Sequence, residues 1–296
     1  MNTRELQFPS NRVRDIERHF QRTLAGQYPE GEVRMMVRML FEEYLGWSHT
    51  ELLLHREDTI NQSDLLRFHW ALEGLKAARP IQYIVGHTDF CGCRIEVNPS
   101  VLIPRPETEE IVLKTIEMTD GKPPRNIADL CTGSGCIAIA LAKHWPQATV
   151  TAVELSREAL QTARHNASEN GVTIDFIQGN LLKEAPLPPR HYDLIISNPP
   201  YVREQERTQM QRNVVDYEPA AALYVPDAAP LMFYEAIGTI AEERLAPEGL
   251  LVLEINEQLA NETTELLSRH GFESTVYEDF RGKPRMVAAQ RAATTT

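Results

Sequence analysis

In Asn126-Ile-Ala-Asp-Leu-Cys-Thr-Gly-Ser-Gly135 an apolar segment runs straight into a glycine-rich loop, and the architecture follows from that junction. Its opening, 126–130, is apolar enough for a strand buried on both faces. The loop Asp129-Leu-Cys-Thr-Gly-Ser-Gly135 follows, and 136–144 then reads as a helix. Glycines at such a turn let backbone N–H groups approach a ligand closely, and the start of a helix favours a negative group. Beyond this point strand and helix alternate. Strands are predicted at 149–153, 174–177, 192–197 and 250–255, and helices at 157–170, 230–245 and 258–269. That alternation calls for right-handed crossovers and an α/β architecture, a mostly parallel sheet covered on both faces. Two last strands, near 272–277 and 284–289, are joined by the short Asp279–Lys283 connection and so form an antiparallel hairpin.

Upstream of that junction the pattern is helical. Ser10 is placed to cap a helix over 11–24 that Gly26 closes. Val33, Met36, Val37, Leu40, Phe41 and Tyr44 form a second stripe at helical spacing. Ser48-His-Thr-Glu51 fits a capping box ahead of Leu52, Leu53 and Leu54. A further helix is expected over 63–78, burying Leu65, Leu72 and Leu75, and stopping before Pro80. From Ile81 to Ile103 the period moves towards two, with 88–90 and 94–97 split by Gly92 as a hairpin. Pro106 then suits the first turn of a helix, and the acids behind it suit that helix's positive end. The expected division is a helical bundle domain over 1–80, a β-hairpin linker over 81–103 and an α/β domain over 104–296. The last residues, Thr294 to Thr296, read as a loose tail.

The composition, 42% hydrophobic and 24% charged, is that of a globular protein rather than a disordered one. Runs such as 137–142 are far short of the ~20 apolar residues that cross a bilayer, and 1–20 has no apolar signal core. We therefore expect a cytoplasmic protein, working as a monomer and away from membranes. Its formal charge of −12 is uneven, since residues 1–80 hold 11 basic and 12 acidic side chains and nearly all the acidic excess lies beyond them. Such a surface is poor for nucleic acid. Cys91, Cys93, Cys131 and Cys136 have the wrong spacing for a zinc knuckle, so we expect reduced thiols and no metal.

Glu154 ends the second strand, where a carboxylate can accept both ribose hydroxyls of an adenosine, and Asn180 after the third strand is placed for the adenine end. Gly133-x-Gly135-x-x-Ala138 also fits a dinucleotide fingerprint, which leaves a nicotinamide enzyme open at this point. What speaks to the chemistry is Asn198-Pro-Pro-Tyr201, directly after strand 192–197. Two prolines set φ and remove two donors. The remaining row of acceptors, the Asn198 side-chain oxygen and the Pro199 carbonyl, suits a planar –NH2 on an sp² carbon, with Tyr201 as a flat wall. Two acceptors holding its hydrogens turn the nitrogen lone pair towards an electrophile and stabilise the positive charge that develops. Displacement at a sulfonium methyl then needs little beyond alignment, and no strong base.

The chain resembles the HemK/PrmC family of protein-glutamine N5-methyltransferases over nearly its whole length. The marks are Pro80-Ile-Gln-Tyr-Ile-Val-Gly86, Phe90-Cys-Gly92, Val101-Leu-Ile-Pro-Arg-Pro-Glu-Thr-Glu109, the Asp129–Gly135 loop, Ser197-Asn-Pro-Pro-Tyr201, Tyr217-Glu-Pro219, Leu253-Glu-Ile255, and Asp279 to Arg285 with Gly282. The resemblance implies a Rossmann-like, seven-stranded S-adenosyl-L-methionine-dependent methyltransferase domain behind a helical one. Its implied substrate is the glutamine of the Gly-Gly-Gln tip of class I peptide chain release factors. Carried over by residue, it implies that Cys131, Thr132, Gly133, Ser134, Gly135, Glu154, Leu181 and Asn198 hold the cofactor, beside Asn180, whose place after the third strand already suits the adenine end. Asn198, Pro199, Pro200 and Tyr201 form the catalytic clamp that also binds substrate. The chain departs from the pattern at Cys131, where glycine is common, at Glu154 for aspartate, at Leu181 for a larger aromatic, and at Asn256 for the glycine after Leu-Glu-Ile. An adenine-N6 methyltransferase acting on DNA or RNA would share the Asn-Pro-Pro-aromatic clamp but needs a basic channel. A cofactor-binding module without catalysis would leave that clamp unexplained.

Overall fold

The computed structural model describes residues 8–183 and 186–292, so the expected tail at Thr294–Thr296 lies outside the described residues. Two compact units result: residues up to Gly86 together with Arg212–Tyr217, and His87–Gln211 together with Glu218 onward.

The first unit is helical, with α1 (Val13–Thr23), α2 (Glu30–Leu45), α3 (His49–Leu54), α4 (Gln62–Lys76) and α5 (Ile81–Val85). Its core is almost wholly apolar. Phe20, Leu40, Phe41, Phe68 and Leu75 are sealed from solvent, with the Phe41 and Phe68 rings 4.5 Å apart. Each such side chain contributes about 1.5–3 kcal/mol of burial. The capping box is present, Ser48 accepting from Glu51 N–H and Glu51 from Ser48 N–H. Two expectations need correction. The first helix begins at Val13 and Ser10 is not its cap, because Arg12 bridges Thr59 and the Asn11 carbonyl accepts from Ile60 N–H. Those long-range bonds hold the chain extended up to Arg12, while Ser10 Oγ donates to Asp15 and accepts from Arg12 N–H. The period-two reading also starts too early: 81–85 is a helical turn, capped by Pro80 and closed by Gly86 at φ 88°.

The second unit opens with a hairpin of β1 (His87–Phe90) and β2 (Cys93–Glu96), then α6 (Pro106–Thr119), which has Pro106 in its first turn. A sheet then grows from β3 (Asn126–Leu130), α7 (Cys136–His144), β4 (Thr149–Glu154), α8 (Arg157–Glu169), β5 (Asp175–Gln178) and β6 (Tyr192–Ser197). Next come the short β7 (Val202–Arg203), α9 (Arg212–Tyr217, part of the helical unit) and β8 (Tyr224–Val225), and then α10 (Met232–Arg244), β9 (Leu245–Glu254), α11 (Ala260–Arg269), β10 (Phe272–Glu278) and β11 (Pro284–Arg291). The seven-stranded order is β10-β11-β9-β6-β3-β4-β5. The five strands β9-β6-β3-β4-β5 run parallel, and β10 and β11 are the antiparallel pair. Strand order reverses at β3, the place in an open α/β sheet where ligands bind beyond the carboxyl ends. The small β7–β8 ribbon was not legible, since two-residue strands carry no periodicity.

Candidate active site

A cavity of about 380 Å3 opens at those carboxyl ends. Cys131, Thr132, Gly133, Ser134, Glu154, Asn180, Leu181, Asn198 and Pro200 all line it, with Arg105, Thr108, Pro219 and Phe233. Sheet register explains the convergence. Leu130 pairs with Val153, so Cys131 and Glu154 emerge side by side. Ser197 pairs with Leu253, so Asn198 and Glu254 do the same.

The glycine loop is held from both ends. Thr132 N–H donates to the Val153 carbonyl, and Gly133 N–H to Glu154 Oε2 at 3.0 Å. Gly133 sits at φ +55° with open space where a Cβ would stand, so the backbone itself forms that wall. Gly135 differs. It is the N-cap of α7, not a lining residue, and a Cβ there would come within 3.2 Å of Ala163 Cβ and Ile139 Cδ1. Its smallness serves helix packing. Behind the loop, fully buried Asp129 accepts from Thr132 Oγ1 at 2.5 Å and Ala138 N–H at 3.2 Å through Oδ2, while its Oδ1 has no partner. Burial, against those two hydrogen bonds and with help from Glu154, pushes its carboxyl up to about 7. Glu154 Oε1 also accepts from Leu155 N–H and Ser156 N–H, so three of the four lone-pair directions of the carboxylate are taken. Asn180 Oδ1 accepts from Leu182 N–H, which turns the chain so that Leu181 caps the cavity.

Asn198 is anchored by its nitrogen. Nδ2 donates to Thr108 Oγ1 at 3.1 Å, and Thr108 Oγ1 donates to Glu254 Oε2 at 2.6 Å. Asn198 Oδ1 has no donor among the described residues. The other oxygen of Glu254 accepts from Tyr201 Oη at 2.8 Å. Glu254 is 1% exposed, and burial raises its carboxyl against the pull of Thr108, Tyr201 and Arg285. Burial and the neighbouring Glu254 push the Tyr201 phenol well up, keeping it a donor. Tyr201 is thus more than the flat wall expected of it; neither it nor Pro199 is among the lining residues. At the cavity mouth Arg105 Nη2 meets buried Glu218 at 2.6 Å, and Ile103 N–H donates to the same carboxylate. Among the described residues no group of three His, Cys, Asp or Glu side chains could hold a metal.

Residues 15–86 match the family described as PrmC N-terminal domain, and residues 107–221 the methyltransferase small domain. A release factor glutamine methyltransferase of Flavobacterium psychrophilum is 39% identical over 93% of this chain and 98% of that protein. One of Bacteroides thetaiotaomicron is 35% identical over 93% of this chain and 99% of its own. The chain belongs to the HemK/PrmC family of release factor glutamine methyltransferases. A crystal structure of a methyltransferase from Pyrococcus furiosus shares the fold, with a TM-score of 0.51, 20% identity, and coverage of 68% of this chain and 90% of that one.

For this member of the HemK/PrmC family the sequence reading passed over Thr108, Glu218 and Glu254 as individuals, although each lies in a motif it quoted. The available signal was chemical: an acid at the end of a buried apolar strand needs partners. Two of the departures from the family pattern have structural consequences. Cys131 adopts φ +61°, a left-handed conformation that glycine takes without strain. Asn256 donates through Nδ2 to the Tyr201 carbonyl and to Glu206, bonds a glycine could not make. In the 279–285 turn, Asp279 collects the N–H groups of Arg281 and Lys283, while the side chains of Lys283 and Arg285 reach Glu257.

Proposed function

We propose that this chain transfers a methyl group from S-adenosyl-L-methionine to the N5 side-chain amide nitrogen of the Gly-Gly-Gln glutamine in class I peptide chain release factors. The observation that carries the reading is Asn198, fixed at the cavity wall through Nδ2 with Oδ1 left as an acceptor. The cavity suits the cofactor: it is large enough, Gly133 offers bare backbone, Glu154 keeps one lone pair for a ribose hydroxyl, and Leu181 offers an apolar face for adenine. Cys131, Thr132, Ser134 and Asn180 complete the binding wall, with Gly135 shaping the loop behind it.

When bound there, S-adenosyl-L-methionine would supply an electrophilic methyl carbon, with S-adenosyl-L-homocysteine as the product. The protein's share is orientation. Asn198 Oδ1 and the Pro199 carbonyl accept the two amide hydrogens of the substrate glutamine, which rotates its nitrogen lone pair towards the methyl group. As the N–C bond forms, the nitrogen becomes positive, and the same two oxygens stabilise it. The methylated nitrogen is strongly acidic and gives its proton to water. Pro200 and Tyr201 hold the clamp rigid. The helical unit is assigned to recognition of the release factor, supported by Leu53, Leu54, Leu66 and Trp70, which it exposes. The setting is the cytoplasm, and no helix among the described residues is long and apolar enough to cross a membrane.

The test is incubation with methyl-labelled cofactor and a purified class I release factor, followed by peptide mass mapping. The label is expected on the Gly-Gly-Gln glutamine and nowhere else. Label on another residue, or on adenine in nucleic acid, overturns the reading.

A further inference from the structure

The clamp would work only one way round. An asparagine amide can turn over, exchanging oxygen for nitrogen, and a turned Asn198 would offer the substrate amide two donors where it needs an acceptor. Something must choose. Asn198 touches Thr108 Oγ1, and a hydroxyl can either give or receive. Thr108 has one hydrogen, and it is committed to Glu254 Oε2 at 2.6 Å. The hydroxyl therefore shows Asn198 a lone pair, which only Nδ2–H satisfies. The chain Asn198 to Thr108 to Glu254 runs in one direction because it ends on a group that accepts at both oxygens, the second from Tyr201 Oη. Thr108 is 2% and Glu254 1% exposed, so water does not compete for these bonds.

We propose that Glu254, acting through Thr108, is a positioning residue that sets the amide orientation of Asn198 and thereby makes the clamp an acceptor. This rests on the reading that Asn198 Oδ1 receives the substrate amide. Glu254→Gln is the sharp probe, since it keeps size and shape but supplies a donor. Its side-chain nitrogen can donate to Thr108, which releases the Thr108 hydrogen towards Asn198 and turns the amide over. Thr108→Val removes the relay at nearly constant volume, and Thr108→Ser restores it.

The experiment is single-turnover methyl transfer to a purified release factor at saturating cofactor, with cofactor affinity measured by calorimetry. Glu254→Gln and Thr108→Val are each expected to slow transfer by about tenfold or more while cofactor Kd moves less than about threefold. Combining them should slow it no further than the slower single variant, because both break one chain. Thr108→Ser should be at least about tenfold faster than Thr108→Val. A Glu254→Gln rate within about threefold of the unaltered enzyme overturns the inference. So do effects of Glu254→Gln and Thr108→Val that multiply, and a Thr108→Ser no faster than Thr108→Val. If Glu254→Gln fails to fold, the two Thr108 variants decide alone. Asn198→Ala, run beside them, separates the two claims. A slow Asn198→Ala with a normal Glu254→Gln removes only the positioning role, whereas a normal Asn198→Ala removes the reading beneath it.

Discussion

The two units of this protein are built on opposite principles. In the helical unit, the buried side chains among the described residues are apolar with the exception of His69. In the α/β unit Asp129, Asn166, Ser197, Glu218, Glu254 and Asn256 are buried as well, and every one has hydrogen-bond partners. Apolar burial is non-directional, so the helical core specifies a shape but aims no atom. A buried polar group without a partner costs free energy, so each one in the α/β unit constrains where its neighbours point. That difference separates a unit suited to presenting a surface from one able to fix an amide.

Breaking the helical side should give the largest loss of stability. Phe68 lies between Phe20, Phe41 and Tyr44, and Phe68→Ala should lower stability by about 3–5 kcal/mol. Urea unfolding measures it, while cofactor affinity of the native protein should stay within about threefold, since the cavity residues lie in the other unit. Breaking the polar side should act on rate instead. Asn198→Ala should cut single-turnover transfer by about 10²–10³, or about 2.7–4 kcal/mol of barrier, with little change in Tm. Glu154→Ala comes next. It removes the acceptor for Gly133, Leu155 and Ser156 N–H and, on the proposed reading, for a ribose hydroxyl, and should weaken cofactor binding by about ten- to hundredfold in calorimetry.

Asp129 makes the α/β unit sensitive to pH in a way the apolar helical core is not. Its folded carboxyl, at about 7 against an ordinary 3.8, holds its proton more tightly than the unfolded chain does. Stability from this group is therefore fully present below about pH 4 and is lost as pH rises through about 7. Asp129→Asn should flatten that decline, read as urea midpoints measured across this range. An unchanged slope would mean that burial of Asp129 does not favour its proton. The smallest effect belongs to the exposed capping box, where Ser48→Ala should cost about 0.5–1 kcal/mol and leave transfer untouched.

Much of the fold is legible in the chain because it rests on periodicity and punctuation. The apolar runs at Asn126–Leu130 and Tyr192–Ser197 have no other stable place than a covered parallel sheet. Gly86, Gly133 and Gly135 stand where φ is positive, and Pro106 opens a helix as expected. Errors arose where distant bonds overrode local preference, as at Ser10, where pairing of Arg12 with Thr59 delays the helix. Nothing local marks α9, a six-residue helix that groups with the helical unit from within the α/β part of the chain.

The alternation of elements, the glycine loop, the acid closing the second strand and the Asn-Pro-Pro-Tyr segment can be read along the unfolded chain, because each is a local pattern with a local physical cause. Only folding brings Thr108, the Asn198–Tyr201 segment and Glu254, drawn from three separate stretches, into one directed set of hydrogen bonds. Register between β6 and β9 brings Asn198 beside Glu254, and the packing of α6 brings Thr108 between them. The direction of a hydrogen bond belongs to the pair that makes it, and pairs so far apart along the chain exist only once it has folded.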